Sequence, residues 1–274
     1  MTDAECVALL RWALPRLELR FAGFRRVRRQ VCRRIGRRMR ELGLEGASAY
    51  RVRLETDADE WRRFDAMCRI TISRCFRDRE VFAALGEHVF PALAERARAA
   101  GRSRLAVWSA GCASGEEPYS LALLWRARLA SRHPGLELAV LATDADAALI
   151  ERARAARFAP SSLREVPEAL QSEGFEPCGG ELCARAALRE AVSFACQDLR
   201  HEMPAGPFDL VLCRNLAFSY FDEALQRSVL ARLLERMYGG GALVIGLHEA
   251  LPEGAPGVEP WPRARAAFRR VCPS

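Results

Sequence analysis

The chain has 274 residues, half of them hydrophobic, which is enough to bury a full α/β core with roughly a hundred residues left for a second unit. No apolar run approaches the roughly 18–20 residues of a membrane span, and MTDAECVALLRW lacks the basic-then-apolar order of a secretion signal, so a cytoplasmic protein is expected. The formal charge of +7 is set by arginine against the acids, since the sequence contains no lysine. The ten cysteines are mostly embedded in apolar segments and read as small core residues of a reducing compartment. No metal site is expected: paired CxxC spacing is absent, and Cys178 and Cys183 lack a second pair or a nearby histidine, which leaves them at most a redox-sensitive pair.

Residues 1–69 have helical character: Leu10, Leu14, Leu17 and Phe21 recur at steps of four, three and four, with Pro15 as an interruption. Residues 24–44 follow as one amphipathic helix in which Val27, Val31, Ile35 and Met39 form the apolar face and arginines cover the rest. That basic surface reads as a solvated face, as a docking surface for an acidic protein, or as a nucleic-acid contact; the last is the weakest, because aromatic residues to stack bases are sparse. Gly43 to Ser48 reads as a loop, and Ala49 to Leu54 with Asp57, Glu60, Trp61 and Phe64 as a further helical unit.

A helix over Val81 to Ala100, ended by Gly101, leads into a buried strand at Leu105 to Trp108. Gly111, Ala113, Ser114 and Gly115 then let a ligand approach the backbone, and Pro118 suits the first turn of the helix that follows. The Gly-x-Gly-x-x-Gly spacing of dinucleotide sites is absent, and Glu116 and Glu117 would repel a pyrophosphate at that helix start. S-adenosyl-L-methionine, with an ammonium, a sulfonium and no phosphate, matches the two carboxylates better; the plain alternative is that both merely complement the helix dipole.

Strands at Leu138 to Thr143, Phe208 to Cys213 and Ala242 to Leu247 alternate with helices at Ala147 to Arg157 and Glu223 to Met237, the last strand following a Gly239-Gly240-Gly241 turn. The alternation predicts a parallel sheet with helices on both faces. Pro160 to Phe194 breaks the rhythm and reads as a small antiparallel insertion, with a hairpin turn at Gly179-Gly180 and alternation at Val192 and Phe194. Asp144, ending the second strand, suits two ribose hydroxyls, Asp146 suits an N-cap, and Asp198-Leu199 fall where an adenine edge would sit.

Taken in order, ITISRCFRDREVF at 70–82, WSAGCASGEEPYSLAL at 108–123, LATDADAALIERAR at 141–154, GPFDLVLCRN at 206–215 and YFDEALQ at 220–226 resemble the CheR-type chemotaxis-receptor methyltransferases, protein-glutamate O-methyltransferases, over most of the chain. The resemblance implies a class I S-adenosylmethionine-dependent methyltransferase fold, Rossmann-like with a mostly parallel seven-stranded sheet. It also implies an arginine-rich helical domain over 1–88, a methyltransferase domain over 89–274 and an antiparallel subdomain near 160–195. It assigns Glu117 to the methionine end of the cofactor S-adenosyl-L-methionine, Asp144 to the ribose, Asp198 and Leu199 to the adenosine, and Arg214 and Asn215 to further cofactor contacts, beside Gly111 of the ligand loop. Thr71, Ser73 and Arg77 match the segment that joins the helical part to the cofactor pocket. Arg77 and Tyr220 would align the reacting groups; the plain alternative for Arg77 is an ion pair with Asp78 or Glu80.

The implied partner is an acidic, helical, chemoreceptor-like protein docking on the arginine-rich helix of a monomer. The alternatives are a related enzyme acting on another protein or a small molecule, and a non-catalytic S-adenosylmethionine-binding regulator. The sequence differs from the family pattern at Thr71, where asparagine is usual, in one extra residue between Asn215 and Tyr220, and in Gly246-Leu247-His248-Glu249 for Gly-His-Ser-Glu.

Overall fold

In the computed structural model, which describes residues 1–271, contacts divide the chain into a helical unit, Met1–Thr71 with Ser219–Gln226, and a sheet unit, Ile72–Phe218 with the chain from Arg227. The division falls at Thr71 rather than at residue 88 because Val81, Phe82, Leu85, Val89 and Phe90 belong to the same hydrophobic core as the first strand.

The helical unit begins with α1 (Asp3–Ala13), set by a capping box in which the Thr2 hydroxyl accepts from Glu5 N–H and the Glu5 carboxylate accepts from Thr2 N–H. Pro15 ends it in a tight 3-10 turn over Leu14–Leu17. The expected basic helix is split into α2 (Phe21–Phe24) and α3 (Arg28–Glu41). Val31, Ile35 and Met39 are fully or almost fully buried, while Val27 is only half-buried at the N-cap of α3. α4 (Gly46–Thr56) and α5 (Ala58–Cys68) are separated by Asp57, whose carboxylate caps α5 at the N–H groups of Asp59 and Glu60.

Two features of this unit were invisible in one dimension. Cys6 and Cys32 form a disulfide between α1 and α3, and Cys178 and Cys183 form another in the sheet unit, which corrects the reading for these four cysteines, whereas Cys68, Cys75, Cys112 and Cys213 are buried thiols as expected and Cys196 is an exposed one. In each pair the fold brings the Cα atoms to 5.9 Å, within bonding reach for cysteine. The segment 219–226 joins the helical unit from far along the chain. There Phe24 and Tyr220 lie with ring centroids 5.1 Å apart, and a Cβ at Gly23 would stand 2.2 Å from the Ser219 carbonyl oxygen, so only glycine fits.

Among its described residues the sheet unit contains ten strands: β1 (Arg104–Ala110), β2 (Glu137–Asp144), β3 (Arg157–Phe158), β4 (Phe175–Cys178), β5 (Glu181–Ala184), β6 (Val192–Cys196), β7 (Phe208–Cys213), β8 (Met237–Ile245), β9 (Val258–Pro260) and β10 (Ala267–Arg270). Seven form one sheet in the order β6-β2-β1-β7-β8-β10-β9, parallel except that β10 runs antiparallel to β8 and β9. Its central strands are apolar on both faces, with β7 buried throughout, as a sheet covered by helices requires. The helix before β1 runs from Arg79 to Ala99 with a π turn at Leu85–Val89, next to Pro91, which has no N–H to donate.

β3, β5 and β4 form a separate antiparallel sheet whose β4–β5 hairpin turns at Gly179 and Gly180, both at positive φ. The sequence reading extended this insertion too far. Val192–Cys196 is an edge strand of the large sheet, paired in parallel with β2, and its alternation reflects one half-open face of that edge. Gly239, Gly240 and Gly241 also lie inside β8 rather than in a turn before it. The register jumps there from Phe208↔Met237 to Leu210↔Ala242, so the extra glycines are accommodated as an irregularity within the strand.

Candidate active site in the sheet unit

β1 pairs with β2 on one side and β7 on the other, so the strand order reverses there and leaves a crevice at the carboxyl ends of the strands. The loops after β1, β2, β6, β7 and β8 all emerge at that edge, because these five strands are parallel. Of the sequence-derived candidates, Gly111, Asp198, Leu199, Arg214 and Asn215 lie on these loops, Asp144 ends β2, and Glu117 stands in the first turn of the helix that follows the β1 loop.

The loop after β1 is anchored to the end of β2. Gly111 and Cys112 donate their N–H groups to the Thr143 carbonyl at 2.8 and 2.9 Å, and Ala113 N–H donates to Asp144 Oδ2 at 2.9 Å. Gly111, Ala113 and Gly115 have positive φ, so the backbone makes a tight course that large side chains would oppose. Asp144 Oδ1 accepts from Asp146 N–H at 3.0 Å, and Asp146 caps the next helix at Ala148 and Leu149.

Arg214 lies at the centre of the polar cluster, its side chain only 3% exposed. It donates to Glu117 Oε2 at 2.9 Å, Asp78 Oδ2 at 2.7 Å and the Arg77 carbonyl at 2.9 Å, and its guanidinium stands 5.5 Å from the Phe82 ring centroid. Glu117 is fixed from its other oxygen by the Ser109 hydroxyl at 2.7 Å. Burying a guanidinium is costly unless it is paired, and two carboxylates here more than neutralise it. With Asp144 added, the side chains of this edge present net negative charge, which suits a cationic ligand.

Asp78 therefore pairs with Arg214 and not with Arg77, whose guanidinium donates to the Ile72 carbonyl at 2.6 Å and to Asn215 Oδ1 at 3.4 Å. Asp198 is engaged by Arg200, with contacts of 2.7 and 3.0 Å to its two carboxylate oxygens; this partner lay outside the sequence reading. Leu199 is buried beside it, and Ser73 is half-buried. Thr71 and Tyr220 belong to the helical unit, where Thr71 is exposed and the Tyr220 carbonyl accepts from Arg20 N–H at 2.9 Å. The thiols of Cys75, Cys112 and Cys213 are pushed up by burial, so they stay protonated and take no part as nucleophiles.

Sequence reasoning missed Ser109, Asp78 as a partner of Arg214, and Glu249, whose carboxylate accepts from the N–H groups of Asn215 and Gly246. Asp78 and Glu249 had a faint signal, as acids beside Arg77 and just past Gly246; Ser109, inside an apolar strand, had none.

The family model for the "CheR methyltransferase, SAM binding domain" matches residues 71–263, and that for the "CheR methyltransferase, all-alpha domain" matches residues 27–65. The chain is similar to the chemotaxis protein methyltransferase of Escherichia coli (strain K12), 32% identical over 88% of this chain and 89% of that one. It is 36% identical, over 81% of its length, to an uncharacterized 104.1 kDa protein of Rhodobacter capsulatus, of which it spans 23%. Among solved structures, a glycopeptide N-methyltransferase complexed with S-adenosyl-L-methionine is 17% identical over 56% of this chain and 52% of that one, with a TM-score of 0.34, too distant to bear on the chemistry.

The matches and the strand order identify a class I S-adenosylmethionine-dependent methyltransferase fold, and S-adenosyl-L-methionine is its cofactor. The residues present fit that molecule. Glu116 and Glu117 at a helix start disfavour phosphate, and Glu117 and Asp78 keep partly exposed carboxylates.

Proposed function

The chain belongs to the CheR methyltransferase family, and on that premise we propose that it methylates glutamate side chains of an acidic, helical, chemoreceptor-like protein. The observation that carries the acceptor class is a division among the arginines of α3. Arg28 pairs with Asp3, Arg34 donates to the carbonyls of Met67 and Arg69, and Arg38 pairs with Glu60. Arg33, Arg37 and Arg40 stand exposed and have no carboxylate partner among the described residues. A row of unneutralised guanidiniums along one helix attracts an acidic surface.

A glutamate with an ordinary pKa of about 4.3 is already an anion at neutral pH, so the reaction needs no general base. S-adenosyl-L-methionine supplies an electrophilic methyl group on a sulfonium, which the carboxylate oxygen takes as the sulfur-to-methyl bond breaks. The chain's task is alignment, which can be worth roughly 7–11 kcal/mol. In this reading Arg77 orients the incoming carboxylate. Glu117 receives the cofactor ammonium, Asp144 the ribose, and Asp198 and Leu199 flank the adenosine. Ser73, Gly111, Arg214 and Asn215 complete the pocket.

The test is transfer of labelled methyl from S-adenosyl-L-methionine into acidic helical receptor fragments and into whole-cell protein, followed by mild base. Base-labile label in the receptor fragments is the expected result. Label confined to other proteins would reassign the acceptor, and cofactor binding without any transfer would make the chain a regulator.

A further inference from the structure

After β8 the chain turns through Gly246-Leu247-His248-Glu249, closed by Glu249 N–H donating to the Gly246 carbonyl at 2.9 Å. The Glu249 side chain folds back onto two strand ends at once: Oε2 accepts from Gly246 N–H at 2.6 Å and from Asn215 N–H at 2.8 Å. Asn215 has a φ of 55°, a left-handed conformation that asparagine tolerates but that needs support from its surroundings. Its carboxamide oxygen is the one that accepts from Arg77 at 3.4 Å. The packing leaves no slack, for a Cβ at Gly246 would stand 2.7 Å from Glu249 Oε2 and 3.0 Å from Asn215 Oδ1. Two backbone N–H groups on one carboxylate oxygen make a charge-assisted clamp, stronger than neutral hydrogen bonds.

We infer that Glu249 is a positioning residue of the cofactor site, acting through Asn215. It fixes the Asn215 backbone, and through it the place of the carboxamide and of the Arg77 guanidinium. The inference rests on the reading of Asn215 as a cofactor contact and is independent of which carboxylate accepts the methyl group.

The experiment is calorimetric titration of the full chain with S-adenosyl-L-methionine. Glu249→Ala leaves two backbone donors without their acceptor and should weaken affinity about tenfold or more. Asn215→Ala should weaken it comparably, and the double variant should be no weaker than Asn215→Ala, because Glu249 then has nothing to position. Glu249→Gln, whose carbonyl oxygen can accept both bonds, should restore affinity to within about threefold of the parent. Should Glu249→Ala fail to fold, Gly246→Ala, which crowds the same oxygen, must weaken binding in its place.

Parental affinity in Glu249→Ala or, where that fails to fold, in Gly246→Ala overturns the inference. So does normal binding by Asn215→Ala, or multiplication of the two losses in the double variant. Failure to methylate receptor fragments would leave these affinities untouched and bear on the acceptor alone.

Discussion

Arg38 in the helical unit and Arg214 in the sheet unit each pair a guanidinium with acid, but the two clusters are turned inside out. Glu60 is wholly buried, clamped by Arg38 Nε and Nη2 at 3.0 and 2.8 Å and by the Tyr50 hydroxyl at 2.8 Å, while the Arg38 side chain keeps 19% exposure. Arg214 is the sealed member of its cluster, and its acids Glu117 and Asp78 keep 15% and 25% exposure. A sealed acid with a rim cation is saturated from within and serves the fold. A sealed cation with rim acids leaves those acids partly exposed, as the proposed binding of a cationic cofactor requires.

The sharpest way to break this contrast is Glu60→Ala, which strands the donors of Arg38 and Tyr50. It should destabilise the helical unit by about 3–5 kcal/mol in urea unfolding, with affinity for S-adenosyl-L-methionine preserved. The same carboxyl gives the contrast a pH signature. The Arg38 hydrogen bond holds it below the usual carboxylate range, against burial and with help from Tyr50. A depressed folded pKa adds stability above the unfolded pKa of about 4.3 that is lost as pH falls through the folded value. Acid unfolding of the helical unit should therefore steepen below about pH 4. An equally steep acid limb in Glu60→Gln would remove Glu60 as its source.

On the proposed ribose assignment, Asp144→Ala should cost about 3 kcal/mol of cofactor affinity or more, since two charge-assisted bonds to hydroxyls would be lost together. Calorimetry reads this directly, and unchanged affinity would dismiss the ribose assignment. Arg77→Ala should lower kcat by about 100-fold while changing cofactor affinity much less, as for an interaction made chiefly in the transition state. Equal losses in both quantities would make Arg77 a binding residue instead.

The smallest effect concerns charges that neither cluster uses. Neutralising Arg33, Arg37 and Arg40 together should raise KM for a protein acceptor by about fivefold, flatten its salt dependence and leave kcat nearly alone. An unchanged KM with an unchanged salt slope would mean that the exposed row is only a solvated helix face.

The amino-acid sequence by itself determined the alternation of helices and strands, the hairpin at Gly179-Gly180, the order of the ligand loops and the acid at the end of β2. Each depends on local properties: hydrophobic period, glycine where φ is positive, and a cap where N–H groups start. Tertiary structure alone decided which partner each charge takes. Arg77 and Arg214 are both arginines in family motifs, but the fold sends Asp78 to the second, gives Asp198 to Arg200 and lays Glu249 against Asn215. It likewise decided that Val192–Cys196 pairs with β2 and that Cys6 meets Cys32. The physical reason is common to all of these. Pairing energies depend on distance and burial in three dimensions, and residues far apart in the chain carry no periodic mark of where packing will bring them together.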